Sequence, residues 1–472
     1  MADFELTVPG RFYEKRRIDG ERFERGSAFE FSVYAPPECT EGGDNALYLL
    51  LEHNPANMIP IIRRMMTEDF IPYGMVLFCW PGVLPATMEG GSPRGMRAEE
   101  FDQYGPEFTN LLVEELVPEA CRIAGMTLSE SPDMHFITGG SSGGMAAWNA
   151  VWFRNDYFRR AFLSSPTFSA MRGGEEPMVL VRKTEPRPIR LYMTCGTEEP
   201  DYFFGSSLYA AQNAASALEF AGYDFRFEQF TGEGHCCRRE EENLWRRMMN
   251  FVWSGWRDVP VRPLFPQIRI RNLVVPEHGW SKCSHEFAAK DSVVTGNGTY
   301  SFSGSCIYHE SNGQKRKAAD GFGEISAIAL SRDNWRLYIA DAQRRFVYAM
   351  TIQPDGSLDG LYKLAPLHIA HDARRLGATD IAVLDDDRVL AATELGVQGI
   401  VSFGLTDLIL PLPGDLPAER LDVVQNTLYV SSGKQVFRRR LKIGARKGME
   451  PAAPATPGYS DGINYSRSHL IP

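Results

Sequence analysis

Short apolar segments alternate with longer amphipathic segments through the first half of the chain. The apolar segments cover residues 46–51, 75–80, 134–138, 161–165, 189–195 and 225–230. Residues 208–221 have the helical spacing that is typical of the segments between them. Buried strands that alternate with helices predict an α/β fold with a parallel sheet covered on both faces, whose active site lies at the carboxyl ends of the strands.

The pattern changes after a proline-rich stretch at residues 259–266. Beyond it, short alternating segments such as 335–340, 346–352, 388–393 and 427–430 are separated by turn residues, which predicts an all-β sandwich or propeller. Residues 328–340 match residues 381–393 as strand, turn and strand, half of a propeller blade, and this repeat favours the propeller. We therefore predict an α/β domain at 1–257, a linker at 258–267, a β domain at 268–446 and a flexible tail at 447–472.

The apolar segment at 134–138 runs into a Gly-x-Ser-x-Gly turn centred on Ser142, with Gly140 and Gly144 at its flanks. A serine on a sharp turn between a strand and a helix is the nucleophile elbow of α/β-hydrolases. Glycine flanks fit this turn because its backbone is crowded and strained. Ser142 would begin the next helix, and the Gly143 N–H would stabilise the oxyanion formed from an ester.

A serine hydroxyl needs a neighbouring base, and the order of residues along the chain indicates His235. His235 lies in a glycine-rich loop after the predicted strand at 225–230. The acid is expected after the strand at 189–195, where Glu199 is the first choice, Asp201 the second and Glu198 the third. His53 follows the predicted strand at 46–51 and would line the same site.

Residues 30–257 resemble the esterase D or enterochelin esterase-like branch of the α/β-hydrolases. The resemblance is carried by the elbow and by the segments Trp80-Pro81-Gly82-Val83, Arg97 with Glu100-Phe101-Asp102, residues 114–118, Arg172-Gly173-Gly174, residues 182–190 and residues 220–224. It implies Ser142 as nucleophile, His235 as base and Glu199 as acid, acting on a polar small-molecule ester such as a carbohydrate or siderophore ester. Relatives have Asp-Gly after the strand at 46–51, where this chain has Glu52-His53. We assign the oxyanion site to Gly143 and His53.

Residues 268–443 resemble the regucalcin and gluconolactonase family of six-bladed propellers, but their length suffices for only four or so blades. In that family a glutamate, an asparagine and an aspartate bind a divalent metal. The resemblance implies Glu286 and Asp380 as metal ligands, with Ser326 at the asparagine position. A metal-dependent lactonase in this half is thus an alternative to the esterase.

Composition narrows the classes of function. The formal net charge is −10 and the charged residues are interspersed, which argues against nucleic-acid binding. No segment has the apolar length of a membrane span or the pattern of a secretory signal, so we expect a cytoplasmic protein without a membrane partner.

We predict a serine esterase that needs no cofactor. A metal-dependent lactonase and a non-catalytic binding protein with two decayed sites are the alternatives; the oligomeric state stays open.

Overall fold

The structure is a computed structural model that describes residues 6–19, 27–236, 241–265 and 267–447. The chain divides into two compact units. The first contains the chain up to Val179 and the segment Pro186–Phe265, and the second contains Leu180–Glu185 and the chain after Phe265. The division after Phe265 falls inside the predicted linker. Nothing in the hydrophobic pattern indicated that residues 180–185 group with the second unit. Except for its first residue, the predicted tail at 447–472 lies outside the described residues.

The first unit contains strands and helices that alternate along the chain. Its described strands are β1 (Arg11–Asp19), β2 (Ala28–Ala35), β3 (Ala46–Leu51), β4 (Gly74–Cys79), β5 (Val83–Leu84), β6 (Arg94–Gly95), β7 (His135–Gly140), β8 (Arg160–Ser164), β9 (Arg190–Gly196), β10 (Asp201–Tyr202), β11 (Gly205–Ser206) and β12 (Asp224–Phe230). Its described α-helices are α1 (Pro55–Thr67), α2 (Glu107–Leu111), α3 (Val117–Ala124), α4 (Ser142–Phe153), α6 (Ser207–Ala221) and α7 (Glu241–Val252). Helix α5 (Glu176–Lys183) begins in the first unit and ends in the residues grouped with the second.

The main sheet of the first unit is mixed, with a parallel centre. Its order is β12-β9-β8-β7-β3-β4-β2-β5-β6, and β1 also pairs with β2. The strands from β12 to β4 in this order are parallel to their neighbours, whereas β2 runs antiparallel to β4 and to β1. The predicted parallel sheet is present, with an antiparallel margin. The carboxyl ends of β3, β7, β8 and β9 therefore meet at one edge.

Local sequence explains why these elements form. Strands β3 and β4 are buried at every position, as continuous apolar runs are in parallel sheets with both faces covered. Helix α1 begins after Asn54, whose side chain accepts a hydrogen bond from the Ala56 N–H at 2.9 Å. Helix α6 ends at Gly222, whose φ of 81° closes the helix in the left-handed conformation that glycine adopts without strain.

The second unit consists mainly of antiparallel sheets. It begins with helix α8 (Ile268–Leu273). Its described strands are β13 (Ser281–Lys282), β14 (Ser292–Thr295), β15 (Gly298–Ser303), β16 (Cys306–Ser311), β17 (Gln314–Ala319), β18 (Ile325–Leu330), β19 (Arg336–Asp341), β20 (Phe346–Ile352), β21 (Leu358–Pro366), β22 (Asp380–Val383), β23 (Val389–Thr393), β24 (Gly396–Ile400), β25 (Thr406–Leu410), β26 (Arg420–Val424), β27 (Thr427–Ser432) and β28 (Gln435–Arg440).

These strands form four-stranded sheets that repeat along the chain. Within the described residues the sheets are β14 to β17, β18 to β21, β22 to β25, and β26 to β28 completed by β13. The first strands of successive sheets lie beside one another, and apolar clusters fill the space between neighbouring sheets. The matching segments 328–340 and 381–393 occupy equivalent strands in two successive sheets. Among the described helices of both units, none has the length and apolar character required to span a bilayer.

Candidate active site

The bend between β7 and α4 centres on Ser141. Ser141 has φ 57° and ψ −121°, a backbone conformation that is costly for any residue with a side chain. A Cβ atom placed on Gly139 would lie 2.4 Å from the carbonyl carbon and oxygen of Gly143. The close approach across the turn therefore involves Gly139 and Gly143, one residue earlier than the Gly140 and Gly144 flanks expected from the sequence.

In this register Ser142 lies inside the helix and not at the centre of the turn. Ser142 is the first residue of α4 and is only 2% exposed. Its hydroxyl accepts a hydrogen bond from Arg97 Nη1 at 2.6 Å. Ser141, by contrast, lines a cavity of about 300 Å³ at the edge of the sheet. The sequence contains two overlapping Gly-x-Ser-x-Gly strings, and the turn forms on the first of them.

The structure brings His235 and Glu199 together. The distance from His235 Nδ1 to Glu199 Oε2 is 2.5 Å, and the Glu199 side chain is fully buried. Glu199 Oε1 also accepts hydrogen bonds from the Ser165 hydroxyl and from the Gly196 N–H. Burial raises the pKa of Glu199, but these partners outweigh burial and hold it below its ordinary value. Asp201, the second choice, is exposed.

The loop that carries His235 is attached to the elbow. The Cys236 N–H donates to the Ser165 hydroxyl at 2.9 Å, and Cys236 Sγ lies 3.6 Å from the Ser164 carbonyl oxygen. That same carbonyl accepts the Ser141 N–H at 2.9 Å. Hydrogen bonds with Cys236 Sγ and then with Glu199 raise the pKa of His235 above its ordinary value. The loop thus positions the imidazole and favours its protonated form.

The loop after β3 forms another wall of the cavity. Glu52 has a φ of 58°, and its carboxylate accepts hydrogen bonds from Arg97 Nε at 2.8 and 3.0 Å and from Nη2 at 2.8 Å. His53 donates from Nδ1 to the Leu51 carbonyl at 2.8 Å, and its ring meets Trp245 edge-on. A second cavity, of about 540 Å³, shares Glu52, His53 and Asn54 with the first.

The predicted metal ligands of the second unit do not fit a divalent cation. Asp380 is 5% exposed, and its Oδ1 atom lies 3.1 Å from Lys290 Nζ. The same ammonium lies 3.6 Å from Asp422 Oδ1 and donates to the Ile381 carbonyl at 2.9 Å. Glu286 is exposed, and within the described ranges no group of three or more His, Cys, Asp or Glu side chains is arranged to hold a metal ion. A lysine charge satisfies the buried aspartate instead.

Sequence reasoning missed three residues of this site. Ser141 was overlooked because its neighbour satisfies the same motif. Ser165, which joins Glu199 to the His235 loop, is the last residue of the predicted strand at 161–165, and a polar residue at such an end is a usable signal. Arg97 belongs to a segment that carries the family resemblance, but the sequence did not indicate its contact with Ser142.

Comparison with known proteins finds similarity only among solved structures. No protein-family model matches the chain, and no curated protein matches it in sequence. The Shigella flexneri enterobactin esterase is 18% identical over 53% of this chain and 60% of its own, with a TM-score of 0.40. The BES protein of Bacillus cereus is 14% identical over 53% of this chain and 98% of its own, with a TM-score of 0.37. A feruloyl esterase module of Clostridium thermocellum is 12% identical over 53% of this chain and 90% of its own, with a TM-score of 0.36. The chain thus spans about three fifths of the enterobactin esterase.

Proposed function

We propose that the first unit is a serine esterase with Ser141 as nucleophile, His235 as base and Glu199 as the acid that orients the base. The observation that carries this proposal is the strained Ser141 backbone at the end of β7, with the Ser141 side chain on a cavity. Strain of this kind persists only where the surrounding structure compensates for it, and it is concentrated at active sites. The His235–Glu199 pair on the loop attached to the elbow supports the same function.

The reaction follows from these groups. His235 Nε2 removes the proton of Ser141 as Oγ attacks the ester carbonyl, and the imidazolium then protonates the leaving alcohol. Water, activated by the same imidazole, releases the acid from the acyl-enzyme. Glu199 keeps the His235 proton on Nδ1 and stabilises the cation, because its oxygen lies 2.5 Å from that nitrogen.

The register of the elbow also changes the proposed oxyanion site. The residue after the nucleophile contributes its N–H, and with Ser141 as nucleophile that donor is Ser142 rather than Gly143. The first N–H groups of α4 have no partner within the helix and lie at its positive end. The N–H of His53, on the loop after β3, is the proposed second donor.

The cavity indicates the size and character of the substrate. Its volume of about 300 Å³ suits a small-molecule ester rather than a polymer. Polar groups of Glu52, Asn54 and Arg97 line it together with Trp245 and Phe162. A polar ester with a compact apolar part fits this lining.

For the second unit we propose a shortened propeller without a catalytic metal. The serial four-stranded sheets and the completion of the last sheet by β13 support this architecture. The Lys290–Asp380 contact argues against a metal-dependent lactonase, because an ammonium ion lies where the aspartate would have to coordinate the cation.

Hydrolysis of p-nitrophenyl acetate and butyrate by the wild type, Ser141→Ala and Ser142→Ala tests this function. We expect Ser141→Ala to lose about 10⁴-fold or more of kcat and Ser142→Ala to retain activity within about tenfold of the wild type. EDTA should not change the rate of the wild type or of Ser142→Ala. Fragmentation mass spectrometry after labelling with a fluorophosphonate should place the adduct on Ser141. An adduct on Ser142 would restore the register expected from the sequence, and full activity in both variants would exclude the serine mechanism.

A further inference from the structure

Arg97 connects two loops that come from distant parts of the chain. Its guanidinium holds the Glu52 carboxylate through Nε and Nη2, at distances between 2.8 and 3.0 Å. Its remaining nitrogen, Nη1, donates to the Ser142 hydroxyl at 2.6 Å. One planar group therefore joins the turn after β3 to the first residue of α4. A guanidinium is suited to this because its donors have fixed directions.

The two joined positions adjoin the proposed oxyanion donors. Ser142 supplies one N–H, and Glu52 immediately precedes His53, which supplies the other. Glu52 has a φ of 58°, which glycine adopts freely but a glutamate adopts only when its surroundings hold it there. The double contact with Arg97 is such a constraint. Without it, the turn is free to relax away from the elbow.

We propose that Arg97 is a positioning residue, which sets the separation of the Ser142 and His53 N–H groups and so completes the oxyanion site. This inference rests on the proposed esterase function. Since donors must lie about 3 Å from the developing oxyanion, the loss of Arg97 should lower kcat far more than it raises KM.

The competing explanation is that Arg97 only neutralises Glu52. A double variant separates the two ideas. In Arg97→Ala, the half-buried Glu52 carboxylate loses its partner, so both ideas predict a defect. In Glu52→Gln/Arg97→Ala no charge is left over. Neutralisation alone predicts recovery of activity, whereas positioning predicts that the defect persists because the guanidinium that joins the two segments is still missing.

The experiment measures kcat and KM for p-nitrophenyl butyrate with both variants, with Ser142→Ala and with the control Arg94→Ala. Arg94 precedes Arg97 in the same segment and forms an exposed ion pair with Glu99 at 2.7 Å. For Arg97→Ala and for the double variant we expect kcat to fall about 100-fold, with KM within about threefold of the wild type. We expect free guanidinium ion to rescue part of the kcat of Arg97→Ala, and Arg94→Ala to match the wild type.

Recovery in the double variant would overturn the proposal, as would a loss confined to KM. A different result would refute the proposed esterase function itself, namely that Ser141→Ala keeps its activity. Thermal denaturation of each variant shows whether the fold is intact. If Arg97→Ala does not fold, the comparison of the double variant with the wild type still decides the question, because that variant has no unpaired carboxylate.

Discussion

Replacement of Lys290 by methionine should destabilise the second unit. Lys290 Nζ lies 3.1 Å from Asp380 Oδ1, donates to the Ile381 carbonyl at 2.9 Å and contacts the Leu421 carbonyl. It also lies 3.6 Å from Asp422 Oδ1. Methionine fills a similar volume but supplies no charge and no donor. The substitution therefore leaves two carboxylates without their common cation.

The size of the effect follows from burial. Asp380 is 5% exposed and Asp422 is 8% exposed. Burial raises the pKa of Asp380, and Lys290 opposes that rise. Removing one partner of a buried pair costs about 3–5 kcal/mol. At about 1.4 kcal/mol for each factor of ten, 3 kcal/mol corresponds to a more than hundredfold increase in the population of the open state.

Native-state hydrogen exchange with peptide mass spectrometry measures this opening within the full chain. Amides of β22 and β26 should exchange about 100-fold faster in Lys290→Met, while those of β3 and β7 in the first unit should not change. The control Lys434→Met removes an exposed lysine and should behave as the wild type. Lys290→Met/Asp380→Asn should regain most of the protection, because an amide needs no counter-ion. Unchanged exchange in Lys290→Met would refute the view that this lysine neutralises the buried aspartates.

The elbow and the histidine loop give two further predictions. Gly139→Ala should destabilise the protein by about 1–3 kcal/mol and abolish esterase activity, because its Cβ would meet the Gly143 backbone at 2.4 Å. Gly140→Ala should destabilise the protein less in thermal denaturation, since the nearest atom to its Cβ would be the movable Cys236 Sγ, at 3.0 Å; the reverse order would contradict the Ser141 register. Cys236→Ala should shift the rising limb of the kcat/KM profile to lower pH, because the sulfur contact raises the pKa of His235. A limb that stays in place would show that the thiol does not influence the base.

The strands of the first unit could be predicted because burial on both faces leaves a strong signal. Residues 46–51 were predicted as a strand and form β3 with the same bounds, and residues 75–80 differ from β4 (Gly74–Cys79) by one position. In the second unit, residues 346–352 coincide with β20. Runs such as 46–51 favour a strand over a buried helix because they are short and are bounded by turn residues.

The side chains of the site were harder to predict. Three acidic residues follow β9, and only the folded loop shows that Glu199 rather than Asp201 contacts His235. Asp380 was expected to bind a metal. It contacts Lys290 instead, which lies 90 positions away along the chain. Pairing between residues so far apart in sequence depends on chain packing, which no local pattern records.

The sequence by itself determined the alternation of strands and helices, the change to antiparallel β-structure after the prolines, and the short list of serine, histidine and acidic candidates. These follow from local periodicity and from the order of residues along the chain. Only the tertiary structure shows that the strained turn centres on Ser141 rather than on Ser142, because both satisfy the motif and the centre depends on which glycine pair closes the turn. It alone also brought Arg97, Glu52 and Ser142 together, since three separate segments meet there only when the sheet has formed.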